Sequence, residues 1–185
     1  MSRLKEGNSA PWFKARSFQG DDINLDLYRG RYLLLSFYRY ASCPFCNLRV
    51  HESIQKRDYF QTLGLEMIAV FQSPDDKLAE YVGKQPLNYP IIGDPSLDIY
   101  KLYHVETSWL GLIKAFFIRP HQILKSIFLR GFFPGSIENE IQRLPADFLI
   151  NPMGKIEIAY YGIDIGDHIA YEIIEKTVRN DIIEP

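Results

Sequence analysis

Cysteine is scarce in this chain, with only two among 185 residues. That scarcity excludes a fold held by several disulfides, and at this length a hydrophobic core needs no such staples. Histidine is nearly as rare. Its four copies, His51, His104, His121 and His168, follow no ligand spacing, and there is no second Cys-x-x-Cys to complete a structural zinc set. An excess of either charge is missing too: 21 Lys and Arg against 23 Asp and Glu leave a formal net charge of -2, which gives no case for nucleic acid. No apolar run reaches transmembrane length without a charge, and Met1 to Asn8 lacks the apolar stretch of a secretory signal. The expected location is therefore cytoplasmic. One local absence stands apart: no acidic residue occurs between Glu106 and Glu138.

The two cysteines that are present stand as Cys43-Pro44-Phe45-Cys46, directly after the apolar run Tyr32 to Tyr38 and before a helix-like segment. A strand that delivers a thiol to the first turn of a helix places it among unpaired N–H groups at the positive end of the helix dipole. Both favour thiolate over thiol. Pro44 suits a first helical position, where no amide hydrogen is needed. In a reducing compartment this spacing points to a redox pair that closes its own disulfide, rather than to a structural one. No motif implies a metal, flavin or nucleotide cofactor.

Strand and helix signals alternate along the rest of the chain. Residues 10–30 read as a short hairpin with its turn at Gly20-Asp21-Asp22, and Leu33 to Phe37 as a strand covered on both faces. A helix is expected from Pro44 to about Leu63, ended at Gly64, with a second buried strand over Leu65 to Phe71. A short helix follows Ser73-Pro74-Asp75-Asp76, then a strand at Ile91-Ile92 and a turn of helix through Ile99 to Tyr103. Phe148 to Ile150 and Ile156 to Tyr161 flank the turn Asn151-Pro152-Met153-Gly154, a β-hairpin, and residues 166–183 carry apolar residues at helical spacing. The economical architecture is an α/β sandwich.

With these elements placed, the chain resembles the thioredoxin-fold superfamily and, within it, the peroxiredoxin-like alkyl hydroperoxide reductase and thiol-specific antioxidant proteins. Four segments carry the resemblance: Ala10 to Phe13, Leu34 to Tyr38 with the cysteines, Tyr89 to Pro95 running into Leu102 to Val105, and Pro145 to Ile156. It implies a thioredoxin-like three-layer α/β/α sandwich, with a mixed central sheet and a C-terminal hairpin and helix, as one domain over 1–185. It also implies an antioxidant thiol oxidoreductase acting on a peroxide or disulfide, with a thioredoxin- or glutaredoxin-type dithiol as electron donor.

Aligned on Phe37-Tyr38, the family's Pro-x-x-x-Thr-x-x-Cys puts Cys46 on the peroxidatic cysteine, Cys43 on the threonine and Arg39 on the proline. Thioredoxin-type reductases instead attack with the first cysteine of the pair, here Cys43. The alignment leaves the order of attack open. Pro145 matches the proline that is cis in thioredoxin-like proteins and lies across from the cysteines, so a cis bond presenting Leu144 is expected. A peroxide site also needs a cation beside the thiolate. Arg143 is the first candidate and Arg39 the second. The buried acid that many thioredoxins keep has no evident counterpart, Ser36 lying about where it would be. His51 is more than one turn down the helix from the sulfurs and reads as a surface histidine.

Residues 107–137 form an aromatic and basic insertion, in which Lys114, Arg119, Lys125 and Arg130 alternate with Trp109, Phe116, Phe117, Phe128, Phe132 and Phe133. The expectation is an inserted helix whose aromatic side packs on the sheet or on a second subunit of a homodimer. The alternatives are a membrane-surface element, which Pro120 and Gly131 would interrupt, and a cover over the cysteines that selects a hydrophobic peroxide or a protein partner.

Overall fold

A five-stranded mixed sheet in the order β5-β4-β3-β6-β7 organises the molecule. The computed structural model describes residues 2–118 and 135–183. Strand β3 (Tyr32–Phe37) lies at the centre, parallel to β4 (Leu65–Phe71), which in turn runs parallel to β5 (Ile91–Gly93). On its other side β3 pairs antiparallel with β6 (Ala146–Ile150), which turns back into β7 (Ile156–Tyr161). All six residues of β3 are buried, as expected of an apolar run covered on both faces. A separate two-stranded ribbon, β1 (Lys14–Arg16) and β2 (Asp22–Asn24), forms the entry hairpin.

Alternation along the strands splits the core in two. Leu34 and Leu149 face the side packed by Val50 and Phe60 of α1 (Pro44–Thr62) and by Ile174 and Val178 of α5 (Tyr171–Ile183). Leu33, Leu35, Phe37, Phe148 and Ile150 face the side closed by Ile23 of the entry hairpin and by Ile99 and Tyr100 of α3 (Asp98–Leu102). The expected sandwich with a mixed sheet and a closing hairpin and helix is therefore present. Helix α1 ends where the sequence marks it, with Gly64 at φ +71° beyond Leu63.

Helix α5 begins at Tyr171, five residues later than expected from Gly166. The reason is a set of carboxylates that captures backbone N–H groups which a helix would have used. Asp164 accepts from Gly166 at 2.9 Å, Asp167 from Ile163 at 2.9 Å and Asp147 from Ile169 at 2.9 Å.

Helices α2 (Asp75–Glu80) and α4 (Trp109–Ile118) complete the regular elements. Expectation and structure part at α4. The face that packs is made of its small residues: Gly111 and Ala115 are buried, and a Cβ at position 111 would stand 2.6 Å from Leu144 Cδ2 and 2.9 Å from the Ile163 carbonyl. Such close approach turns the bulky side outward. Trp109 is 63% exposed, with Leu110, Ile113 and Ile118 also in solvent, so the expectation that the aromatic side packs on the sheet fails for Trp109. Residues 119–134, with Phe128, Phe132, Phe133, Lys125 and Arg130, lie outside the described residues. Among the described residues no helix is long and apolar enough to cross a membrane.

Candidate active site

Strand β3 ends at Phe37, and the chain crosses to α1 through residues 38–43. Tyr38 continues the ladder by donating to the Val70 carbonyl at 2.8 Å, and the Tyr100 hydroxyl stands 2.7 Å from the Tyr38 carbonyl and 2.9 Å from that of Val70. The strand end is thereby fixed before the loop begins. A turn closed by Cys43 N–H on the Tyr40 carbonyl, 3.0 Å, then presents Cys43 as the N-cap of α1, in extended geometry, with Pro44 following. Asn47 locks this turn from below, its amide donating to the carbonyls of Ala41 at 2.6 Å and Cys43 at 3.0 Å.

The sequence-predicted thiols meet here. Cys43 and Cys46 are free and buried, 0% and 2% exposed, one helical turn apart. Arg39 joins them: its Nη1 donates to Cys43 Sγ at 3.2 Å and its backbone N–H to Cys46 Sγ at 3.4 Å. The guanidinium is itself buried, lies 4.8 Å from the centre of the Tyr40 ring and donates from Nη2 to the Ile141 carbonyl.

This arrangement separates the two sulfurs electrostatically. Burial pushes the Cys43 thiol up, but a hydrogen bond from Cys46, the Arg39 charge and the amides of Cys46 and Phe45 outweigh it and bring Cys43 down to about 6. Cys46 goes the other way. Burial raises it, and its bond to Cys43 and the neighbouring thiolate raise it further. One proton is thus shared unequally, with the anion on Cys43.

The other expected residues fall as follows. Arg143 is buried, but its contacts run to the Val105 carbonyl at 2.9 Å, to Glu140 at 2.8 Å and, at 3.5 Å, to Gln72. The guanidinium that reaches a sulfur is that of Arg39. Pro145 leads into β6 through a trans bond, no cis peptide being present among the described residues, which corrects the expected cis form. The Leu144 N–H donates to the Glu106 carbonyl and the Pro145 carbonyl accepts from Gly162, both at 3.0 Å, which ties the chain down on both sides of the Leu144–Pro145 bond. Leu144 is buried in the same core cluster as both cysteines. His51 lies five residues beyond Cys46, about 7.5 Å along the helix axis, with Gln55 at 3.1 Å.

A segment after the insertion covers the site. Gln72 donates to the carbonyls of Glu138 at 2.7 Å and Glu140 at 3.0 Å, Ser73 donates to Glu138 Oε2 at 2.6 Å, and Asn139 donates to the Gln72 carbonyl at 2.7 Å. Ser73 also accepts from the Ala41 N–H at 2.8 Å, and Ser42 donates to the Ser136 carbonyl. This strap is thereby tied to the end of β4 and to the loop that carries Ser42 and Arg39.

Sequence reasoning missed a buried acid. Asp147 stands opposite Ser36 in the β3–β6 register, fully buried, with its carboxylate 3.0 Å from His168 Nδ1. Burial pushes Asp147 up, but His168, Arg49 and Ser36 together hold it below the usual carboxylate range. Its signal was a lone aspartate inside the apolar run Ala146 to Ile150. A carboxylate depressed on folding stabilises the fold above its unfolded pKa of about 3.9, and that contribution disappears as pH falls through the lower folded value. Asp147→Asn takes the carboxylate from the Ile169 N–H at 2.9 Å and from His168 Nδ1 at 3.0 Å and is expected to cost about 2 kcal/mol. Urea unfolding at pH 7 checks this through the midpoint, and the acid limb due to Asp147 vanishes in the variant.

Comparison with known proteins agrees with the geometry. Residues 7–127, more than half of the chain, match the model of the AhpC/TSA family. The Mycobacterium tuberculosis protein Rv2521 is 24% identical over 169 residues, covering 91% of this chain and 92% of its own length. Peroxiredoxin Bcp of Escherichia coli is 26% identical over 113 residues, 60% of this chain and 72% of that one. Among solved structures, Peroxidoxin BcpB of Mycobacterium tuberculosis superposes with a TM-score of 0.67 at 15% identity, covering 96% of this chain and 98% of its own. A cysteine mutant of PrxQ from Xylella fastidiosa gives 0.68 at 14% identity, covering 97% and 96%. With a thioredoxin-type sheet, two apposed thiols at a helix N-terminus and a family match over this length, the chain belongs to the AhpC/TSA family and is a peroxiredoxin-like enzyme, a thiol oxidoreductase.

Proposed function

We propose that the chain reduces peroxides through a Cys43–Cys46 dithiol–disulfide cycle in which Cys43 attacks. The observation that carries this reading is the Arg39 guanidinium 3.2 Å from Cys43 Sγ, the only side-chain cation among the described residues that bonds to either sulfur. The peroxiredoxin motif puts Cys46 on the attacking position and the thioredoxin motif puts Cys43 there; Cys46 has only a backbone N–H and keeps its proton.

The steps balance as follows. The Cys43 thiolate attacks the terminal oxygen of a hydroperoxide; the S–O bond forms, the O–O bond breaks, and an alkoxide or hydroxide leaves. Arg39 stands where that developing negative charge is partly neutralised. Cys46 gives its proton to the leaving oxygen, and the resulting thiolate attacks the Cys43 sulfenic acid. The S–S bond forms and hydroxide leaves, taking from solvent the proton that Cys43 had released on ionising. An external dithiol of thioredoxin or glutaredoxin type returns two electrons and two protons, one kept by Cys46 and one released to solvent as Cys43 ionises. A reducing cytoplasm suits this cycle.

Pro145 enters the reading through its neighbour. Leu144 lies in the apolar cluster that holds both cysteines, and Pro145 leads the chain from it into β6. Arg143 serves the strap, holding Glu140 and the Val105 carbonyl together beside Gln72.

The test is turnover of hydrogen peroxide and of an organic hydroperoxide, with thioredoxin, its reductase and NADPH as donor. Sustained consumption far above that of free cysteine is expected. A chain that reduces protein disulfides but consumes no peroxide would overturn the peroxidase reading.

A further inference from the structure

We propose that Arg39 sets the direction of electron flow. As a buried cation whose only anionic neighbour among the described residues is the Cys43 sulfur, it stabilises the dithiol form over the disulfide and makes the pair an oxidant of other dithiols rather than a donor to protein disulfides. The inference rests on the Cys43–Cys46 cycle proposed above and adds its thermodynamic poise.

The argument begins with what Arg39 lacks. Its side chain is out of solvent, yet no carboxylate pairs with it among the described residues, and its Nε has no hydrogen-bond partner. Beyond Cys43, its guanidinium has a carbonyl, from Ile141, and an aromatic face, from Tyr40. Residues 107–137 contain no acidic side chain either. A buried guanidinium without a counter-charge costs several kcal/mol, so here the counter-charge is the reacting sulfur.

Oxidation removes that charge. When Cys43–S⁻ and Cys46–SH join, two electrons leave and one proton is released, and the neutral disulfide faces a cation that nothing else balances. Reduction restores the ion pair. The Cys46 hydrogen bond, the Arg39 charge and the amides of Cys46 and Phe45 together bring Cys43 to about 6 against the ordinary 9.0, which bounds the size of the effect. At pH 7 the ionised form favours the dithiol by about tenfold, which is ~30 mV toward a more oxidising couple. Because Cys46 holds its proton, reduction takes up one proton instead of two between pH 6 and pH 9. The potential should then fall by about 30 mV per pH unit in that window and by about 59 mV per unit below it.

The test equilibrates the full chain in graded dithiothreitol or glutathione buffers from pH 5 to pH 9 and reads the disulfide fraction by alkylation and mass. The wild-type chain should show the shallow slope with a break near pH 6, and a potential above the roughly -270 mV of thioredoxin. Arg39→Met should move the couple toward reducing at pH 7, by up to about tenfold, and shift the break in slope upward from pH 6, while Arg39→Lys keeps the break closer to pH 6. A steep slope across pH 6–9 in the wild-type chain overturns the inference even if peroxide turnover is intact. A pair that never joins overturns the cycle itself. If Arg39→Met fails to fold, the wild-type slope decides alone.

Discussion

A Cys43→Ser chain consumes no peroxide beyond the uncatalysed background, whereas a Cys46→Ser chain consumes one equivalent and stops. The asymmetry follows from where the proton sits. Serine at position 43 removes the only sulfur that Arg39 holds as an anion, and leaves Cys46, raised by burial, as a protonated thiol with little reactivity. Serine at position 46 spares the attacker but removes the resolver, so the cycle halts at a Cys43 sulfenic acid. At equal enzyme and peroxide, the rate in the first variant should be lower by about a thousandfold or more, the scale lost when a catalytic nucleophile is removed. Equal loss of the first turnover in both variants would contradict this assignment, and the reverse pattern would make Cys46 the attacker.

Arg39→Met carries the second large effect, and two opposing consequences decide its size. Without the guanidinium, Cys43 rises from about 6, while the Cys46 hydrogen bond and the amides of Cys46 and Phe45 still act against burial. The thiolate share at pH 7 falls, and the more basic thiolate that remains is the better nucleophile at the usual Brønsted slope, so these two changes largely offset each other. The variant also loses the cation beside the leaving oxygen, and removing one such donor costs about a hundredfold or more. The expected fall at pH 7 is therefore at least a hundredfold in the second-order rate constant with peroxide. The pH profile separates the causes. If Arg39 acted through the thiolate share alone, the variant would overtake the wild type near pH 9; the account expects it to stay slower there, while its rate still climbs through a range where the wild-type rate is flat.

Much of the fold was legible because its strands are apolar in runs that only a two-sided core explains. Leu33 to Phe37 and Leu65 to Phe71 announce a buried parallel pair, and the turn Asn151 to Gly154 announces the hairpin, with Gly154 at φ +80° and the Asn151 side chain accepting from Met153 and Lys155. The start of α5 was not legible, because apolar spacing says nothing about three carboxylates that compete for the backbone between Ile163 and Ile169. The outward turn of Trp109 escaped for a related reason: Gly111 and Ala115 decide which face of α4 packs, and small residues contribute little to an apolar pattern.

The site was legible in its thiols and less so in its charges. Cys43, Pro44 and Cys46 declare a helix N-cap whatever the rest of the chain does. Sequence put Arg143 ahead of Arg39, the reverse of which guanidinium reaches a sulfur, because both flank strands that end beside the cysteines and only the path of residues 38–43 brings Arg39 there. Asp147 was hidden by its partners. Ser36, Arg49 and His168 are dispersed along the chain and meet only once β3, α1, β6 and the loop before α5 are assembled.

Trapping the first oxidised sulfur tests the central claim most directly. The reduced wild-type chain is mixed with less than one equivalent of hydrogen peroxide in the presence of a sulfenic-acid trap, and peptides are mapped by mass. The account predicts the adduct on Cys43 and, where the trap is too slow, a disulfide joining Cys43 to Cys46. An adduct confined to Cys46, or two thiols left unmodified while peroxide persists, would contradict it.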